Sequence, residues 1–321
     1  MPSSRRRSRA VRAVTVLVLV GVALVVAFAA LGRGAIAHAI VDAPNRNRRL
    51  GSEDEASPAE LAGWGADRSI RVAIDETRGL ALSAWIAEPR SAPLGTVLVL
   101  HGIRSDRRWL MGLARRIADE GYRAVAPDLR GHGRSGGDWL TYGVADREDL
   151  RALLDRLAQT GELAGRVGVV GTSYGAAVAL QLAAADPRVT AVVAIAPFTS
   201  LRDVVPEYAA HYLPGVAKLV PDAFLADAIA EAGRLGGFDP DAASPIAAIA
   251  TTRAHVLLLH GAEDRHIPVE HSRRLAAAAP DRAELVVVAG EGHESIMGDA
   301  TGAIAGAGMR HLHRWVEGEG R

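Results

Sequence analysis

From Ser69 onward, short apolar runs alternate with longer amphipathic ones, and this alternation restricts the fold more than any other feature. "SIRVAID" and "LALSAWIAE" alternate apolar and polar residues on either side of "ETRG", the pattern of an antiparallel hairpin. The later runs "TVLVL" (96–100), "RAVAP" (123–127), "RVGVV" (166–170), "VTAVVAIAP" (189–197), "HVLLLHG" (255–261) and "AELVVVAG" (283–290) are nearly all apolar, as strands covered on both faces must be. Helical patterns separate them at about 107–120, 145–160, 175–185, 270–279 and 303–317. The prediction is an α/β fold: a doubly wound, mostly parallel eight-stranded sheet spanning 69–321.

One stretch breaks the alternation. Residues 199–250 hold no strand pattern but carry short helical ones punctuated by Pro206, Pro214, Pro221, Pro240 and Pro245. That is too long for a connecting loop, and it reads as a small helical cap inserted between two core strands. The plainer alternative is surface decoration away from any site.

The N-terminal segment reads differently. Residues 1–12 are basic, with Arg5, Arg6, Arg7, Arg9 and Arg12, and Ala13–Leu31 follows as 19 residues without a charge. As a helix this run covers roughly 28 Å, close to a bilayer core of about 30 Å. The arginines before it predict an N-terminus held in the cytoplasm and the domain that follows outside. The expected element is therefore a single-pass signal anchor at 13–31. The competing reading is a cleaved signal peptide, with "AIA" at 35–37 at the cleavage site and a secreted product. Residues 32–68 read as a stalk or loosely packed lead-in.

Charge and cysteine content exclude several classes. With the five N-terminal arginines set aside, 32 basic residues face 37 acidic ones, so the folded body offers no basic surface for nucleic acid. No cysteine is present, which removes thiol nucleophiles, disulfides and thiolate metal sites. There is no H-E-x-x-H and no carboxylate–histidine cluster, so neither a metal nor another cofactor is expected.

The chemistry centres on "VVGTSYGAAVAL" (169–180), where Gly171-x-Ser173-x-Gly175 stands between a strand and a helix. In that context the serine sits on a strained turn, the glycines permit close strand–helix approach, and the hydroxyl projects above the sheet. A nucleophilic serine needs a base, and the base needs an orienting carboxylate, each past a later strand. "AEDRHIP" after "HVLLLHG" supplies Asp264, and "EGHES" after "AELVVVAG" supplies His293. Glu263 is one residue too early and Asp128 follows an earlier strand, where a turn or wall role is expected. His101 and His260 precede glycines at strand ends and are expected to bond to backbone. His266 and His271 lie beyond the acid loop, and His311 and His313 sit on the terminal helix. Two main-chain N–H groups are expected to face the developing oxyanion: that of Tyr174, at a helix N-terminus, and that of Ile103 in the loop after "TVLVL".

"HGIRSD", "PDLRGHGRS", "GTSYG", "LLLHGAEDRHIP" and "GEGHES" resemble, in order, the strand-end motifs of the α/β-hydrolase superfamily, over roughly four-fifths of the chain. Within it, the short helical insertion and "SPIAAI" are most similar to the Bem46-like and serine aminopeptidase-like esterase groups. The resemblance implies Ser173 as nucleophile, Asp264 as acid and His293 as base, with "PDLRGHGRSGG" as a wall beside the site. The expected activity is hydrolysis of a small or lipid-like carboxylic ester through an acyl-enzyme. A peptidase or thioesterase with the same triad and a catalytically silent membrane-anchored binding module are the alternatives.

Overall fold

The computed structural model describes residues 32–45, 56–212, 214, 215, 217–298 and 302–317. The expected membrane anchor at 13–31 lies outside the described residues. Among those that are described, no helix is long and apolar enough to cross a membrane.

Eight strands form one sheet: β1 (Arg68–Asp75), β2 (Leu80–Ala87), β3 (Thr96–Leu100), β4 (Arg123–Pro127), β5 (Val167–Thr172), β6 (Val189–Ile195), β7 (His255–Gly261) and β8 (Ala283–Val288). Their spatial order is β1-β2-β4-β3-β5-β6-β7-β8. β2 runs antiparallel to both neighbours and every other pairing from β4 to β8 is parallel. β3 and β5 are buried at every position, which explains why both read as uninterrupted apolar runs.

Helices cover both faces. On one side pack α4 (Asp146–Gln159), α5 (Tyr174–Ala185), α8 (Pro245–Thr251) and α9 (Glu270–Ala278), with Leu153, Leu154, Val178, Leu182, Ile249 and Leu275 in the core. On the other pack α3 (Met111–Asp119) and α11 (Ala303–Leu312), with Ala114, Ile117 and Leu312 against Val97, Val99 and Val193. A further short helix, α10 (His293–Gly298), follows β8.

Two expectations are refined. The interval 199–250 is helical as expected, with α6 (Leu201–Tyr212) and α7 (Asp222–Gly236). Its third helix, α8, belongs to the body, because Pro245 and Ile249 are buried and Ile249 joins the core beside α5 and α9. The lead-in is less loose than a stalk. Residues 32–41 are helical (α1), and Ala37, Ile40 and Val41 are buried in the main core. Tyr142 Oη donates to the Ile40 carbonyl at 2.9 Å, and Asn45 Nδ2 donates to the carbonyls of Gly133 (2.8 Å) and Ser135 (2.9 Å). These bonds fasten to the domain a segment whose polar sequence shows no strong periodicity. A second short helix, α2 (Pro58–Gly63), begins at the Ser57 cap, whose Oγ accepts the Glu60 N–H.

Candidate active site

Ser173 stands between β5 and α5 with φ 51° and ψ −113°, a conformation that a non-glycine residue holds only under strain. Its N–H donates to the Ile195 carbonyl at 2.7 Å, and its own carbonyl accepts from Ala176 and Ala177, so the turn is fixed from both sides. The flanking glycines are required by space. A Cβ on Gly171 would lie 2.3 Å from the Gly175 carbonyl oxygen, and one on Gly175 would lie 2.4 Å from that of Leu100. Among the described residues three other non-glycine ones have positive φ: Arg104, Tyr142 and Ala196. Arg104 belongs to the loop beyond β3 and Ala196 follows β6, so the strain gathers near the carboxyl ends of the strands.

The three residues expected to act together do meet. His293 Nε2 lies 3.1 Å from Ser173 Oγ, and His293 Nδ1 lies 2.7 Å from Asp264 Oδ2. An ionised carboxylate can only accept, so Nδ1 carries the proton and Nε2 is left to accept from the serine hydroxyl. Asp264 is held in turn by the N–H groups of His266 and Ile267, both 2.9 Å from Oδ1. Burial alone would raise its pKa. The hydrogen bonds from His260 and His293 outweigh burial and hold the carboxyl well below the usual range, which keeps it ionised.

The remaining histidines divide as the strand-end argument expects. His101 Nδ1 donates to the Gly102 carbonyl at 2.8 Å, and its Nε2 accepts the Leu129 N–H at 3.0 Å. His260 Nε2 donates to the Ile267 carbonyl at 2.8 Å while Nδ1 accepts from Ser272 Oγ at 2.7 Å. His271 is bonded to Thr199. His266 stands beside His293, the two rings 5.0 Å apart. Asp128 is a turn residue outside the lining of the Ser173 cavity: its carboxylate accepts the N–H groups of Arg107 and Arg134 and pairs with the Arg107 guanidinium at 3.1 Å. Glu263 is exposed.

The two expected oxyanion donors are placed as follows. Tyr174 opens α5, where the leading N–H groups have no acceptor within the helix. Its phenol points away, to Asp146 (3.1 Å) and the Tyr142 N–H (3.0 Å). Ile103 lines the cavity in front of Ser173, and the adjacent Gly102 passes so close that a Cβ there would lie 3.7 Å from Ser173 Cβ.

Two contributors escaped the sequence reading. His132, inside "PDLRGHGRSGG", accepts the Arg104 N–H on Nε2 at 3.0 Å and so sets the loop that carries Ile103. Burial first, and then the neighbouring His101, push its pKa down to about 4, which preserves the neutral acceptor. Tyr208, from α6 of the cap, lines the same cavity as Ser173; burial raises the phenol's pKa, so it stays protonated. The glycine spacing of the loop hinted at the first, and no local pattern pointed to the second.

These groups meet at a cavity of about 1130 Å³. Its wall is largely apolar: Val205, Tyr208 and Leu225 come from the cap, Ile36 and Ile40 from α1, and Met297 from α10. The cap is therefore part of the site and not surface decoration.

A family model described as "Alpha/beta hydrolase family" matches residues 97–307. The chain belongs to this family. An uncharacterized protein of Mycobacterium tuberculosis is 31% identical over 253 residues, 78% of this chain and 81% of that one. The monoacylglycerol lipase of Mycolicibacterium smegmatis is 28% identical over 235 residues, covering 64% and 83% of the two chains. Among solved structures, the esterase Pf2001 of Pyrococcus furiosus superposes with a TM-score of 0.63 at 23% identity, over 85% of this chain and 99% of that one. This α/β hydrolase is thus similar in fold to an esterase and, at 28% identity, in sequence to a lipase, and the family supports hydrolase activity.

Proposed function

We propose that this α/β hydrolase cleaves carboxylic esters through an acyl-enzyme on Ser173. The observation that carries the reading is the hydrogen-bonded line Ser173–His293–Asp264 at the wall of an apolar cavity. His293 Nε2 takes the Ser173 proton as Oγ attacks the ester carbonyl carbon. The carbonyl oxygen turns negative against the N–H groups of Ile103 and Tyr174. His293 then gives its proton to the departing alkoxide. Water, deprotonated by the same nitrogen, attacks the acyl carbon and releases the acid and Ser173. The apolar wall and the relationship to a lipase favour an ester with a hydrophobic acyl part over a peptide. A fluorophosphonate probe should label wild type and not Ser173→Ala, and equal labelling of the two would overturn the reading. A series of p-nitrophenyl esters and thioesters of increasing chain length then identifies the acyl group.

The uncharged run Ala13–Leu31 behind five arginines supports attachment to a membrane as a single-pass anchor, N-terminus in the cytoplasm and catalytic domain outside. Protease added to intact cells should remove the domain. Full protection would contradict this orientation.

A further inference from the structure

The apolar run ends at Leu31, and residue 32 is already in α1. α1 is not a spacer. Its Ile36, Ala39 and Ile40 line the catalytic cavity. It is also fixed there: Arg104, in the loop between Ile103 and α3, donates to the Ala39 carbonyl at 3.0 Å, and Tyr142 holds the next carbonyl. Ile36 stands five positions beyond Leu31, which along a helix is an advance of roughly 8 Å. A membrane segment ending at Leu31 therefore leaves the cavity mouth little freedom to stand off from the bilayer.

The mouth itself is furnished for such contact. Trp109, from the turn after β3, is 81% exposed, Tyr212, at the end of α6, is 67% exposed, and both line the cavity. Leu219 is 80% exposed and lies between Lys218 and Val220, which also line it. Large exposed apolar side chains from separate elements around one opening mark an interaction surface. Amphipathic rings and a lysine are the groups that settle at a lipid–water boundary.

We infer that the cavity mouth docks on a lipid surface and that the acyl substrate enters from the bilayer and not from water. This rests on the ester hydrolase and membrane-anchor readings above, and it adds the direction of entry and the residues that make the contact. Trp109, Tyr212 and Leu219 sit in the headgroup layer, α1 sets the tilt of the domain, and an acyl chain passes from the lipid to Ser173 along a largely apolar wall.

The test uses the full chain reconstituted in phosphatidylcholine vesicles. Brominated phosphatidylcholine should quench a large part of the tryptophan emission, and Trp109→Phe should lose most of that quenching. Equal fractional quenching in both proteins would overturn the proposal. In the second arm, Leu219→Glu places a charge on the rim outside the cavity lining. It should lower turnover of a long-chain ester embedded in the vesicles by about tenfold or more while leaving a short water-soluble ester within about twofold. Unchanged turnover of both esters, or an equal loss on both, would overturn the proposal. Absence of fluorophosphonate labelling at Ser173 would instead remove the hydrolase reading, and the quenching arm would still decide whether the mouth meets lipid.

Discussion

His132 accepts the main-chain N–H of Arg104 on Nε2 at 3.0 Å, 28 residues away in the chain. Arg104 has φ 56° and follows Ile103 directly, so this bond fixes the peptide that joins the two residues, next to the proposed oxyanion donor. Replacing His132 with Ala should free the loop without touching substrate. Misplacing one oxyanion donor costs about 10²–10³ in turnover. We expect kcat to fall toward the lower end of that range with KM little changed, and His132→Gln, which keeps an acceptor, to recover part of it. A large rise in KM at constant kcat would mean that His132 shapes the pocket instead.

Tyr208 lines the cavity of Ser173 from the cap, and burial raises its pKa so that the phenol stays protonated through the neutral range. Tyr208→Phe retains the ring and removes only the hydroxyl. Loss of one polar hydroxyl from the cavity wall near the nucleophile should reduce kcat/KM for esters by about tenfold, equivalent to about 1.4 kcal/mol, with the melting temperature nearly unchanged. Stopped-flow acylation by p-nitrophenyl esters measures it, and full activity in the variant would show that the hydroxyl has no catalytic consequence.

The glycine spacing has a mechanical test. Gly175→Ala would bring a Cβ to 2.4 Å from the Leu100 carbonyl oxygen and 2.6 Å from that of His101, both main chain at the end of β3. The strand cannot yield without breaking its ladder, so destabilisation should exceed the ~1–3 kcal/mol typical of overpacking. Gly112→Ala on α3 meets nothing within 4 Å and should be stabilising by up to ~1 kcal/mol. Urea unfolding of the two variants, side by side, checks the contrast.

Acid should loosen the fold through its buried histidines. Burial lowers the pKa of His101, His132 and His271 to about 4 each, below the unfolded value near 6.5. Between these values the unfolded chain binds protons that the folded chain refuses, so stability rises with pH. Their contribution is full above about pH 6.5 and is lost progressively as pH falls toward 4. Asp264 adds its own loss only further down, because its folded pKa is depressed below the ordinary carboxylate value. Melting temperatures across pH 4 to 7 should fall on the acid side, and His271→Gln should flatten the slope.

Much of the site was legible because its demands are local. A tight strand-to-helix turn needs glycine at both flanks of Ser173, and in a parallel sheet the groups serving it must follow later strands, where Asp264 and His293 stand. The sheet was legible for a similar reason: strands covered on both faces must be apolar throughout, as β3 and β5 are. The wall of the cavity has no such local signature. α1 reads as polar lead-in, yet Arg104 and Tyr142 capture its carbonyls from 65 and 102 residues away. His132 and Tyr208 matter only because a loop and a cap helix bring them to groups distant in sequence. The sequence by itself determined which residues were expected to act together and in what order they appear along the chain. Only the tertiary structure decided what surrounds them, because hydrogen bonds between remote segments are set by how the layers pack and leave no periodic trace in the residues that make them.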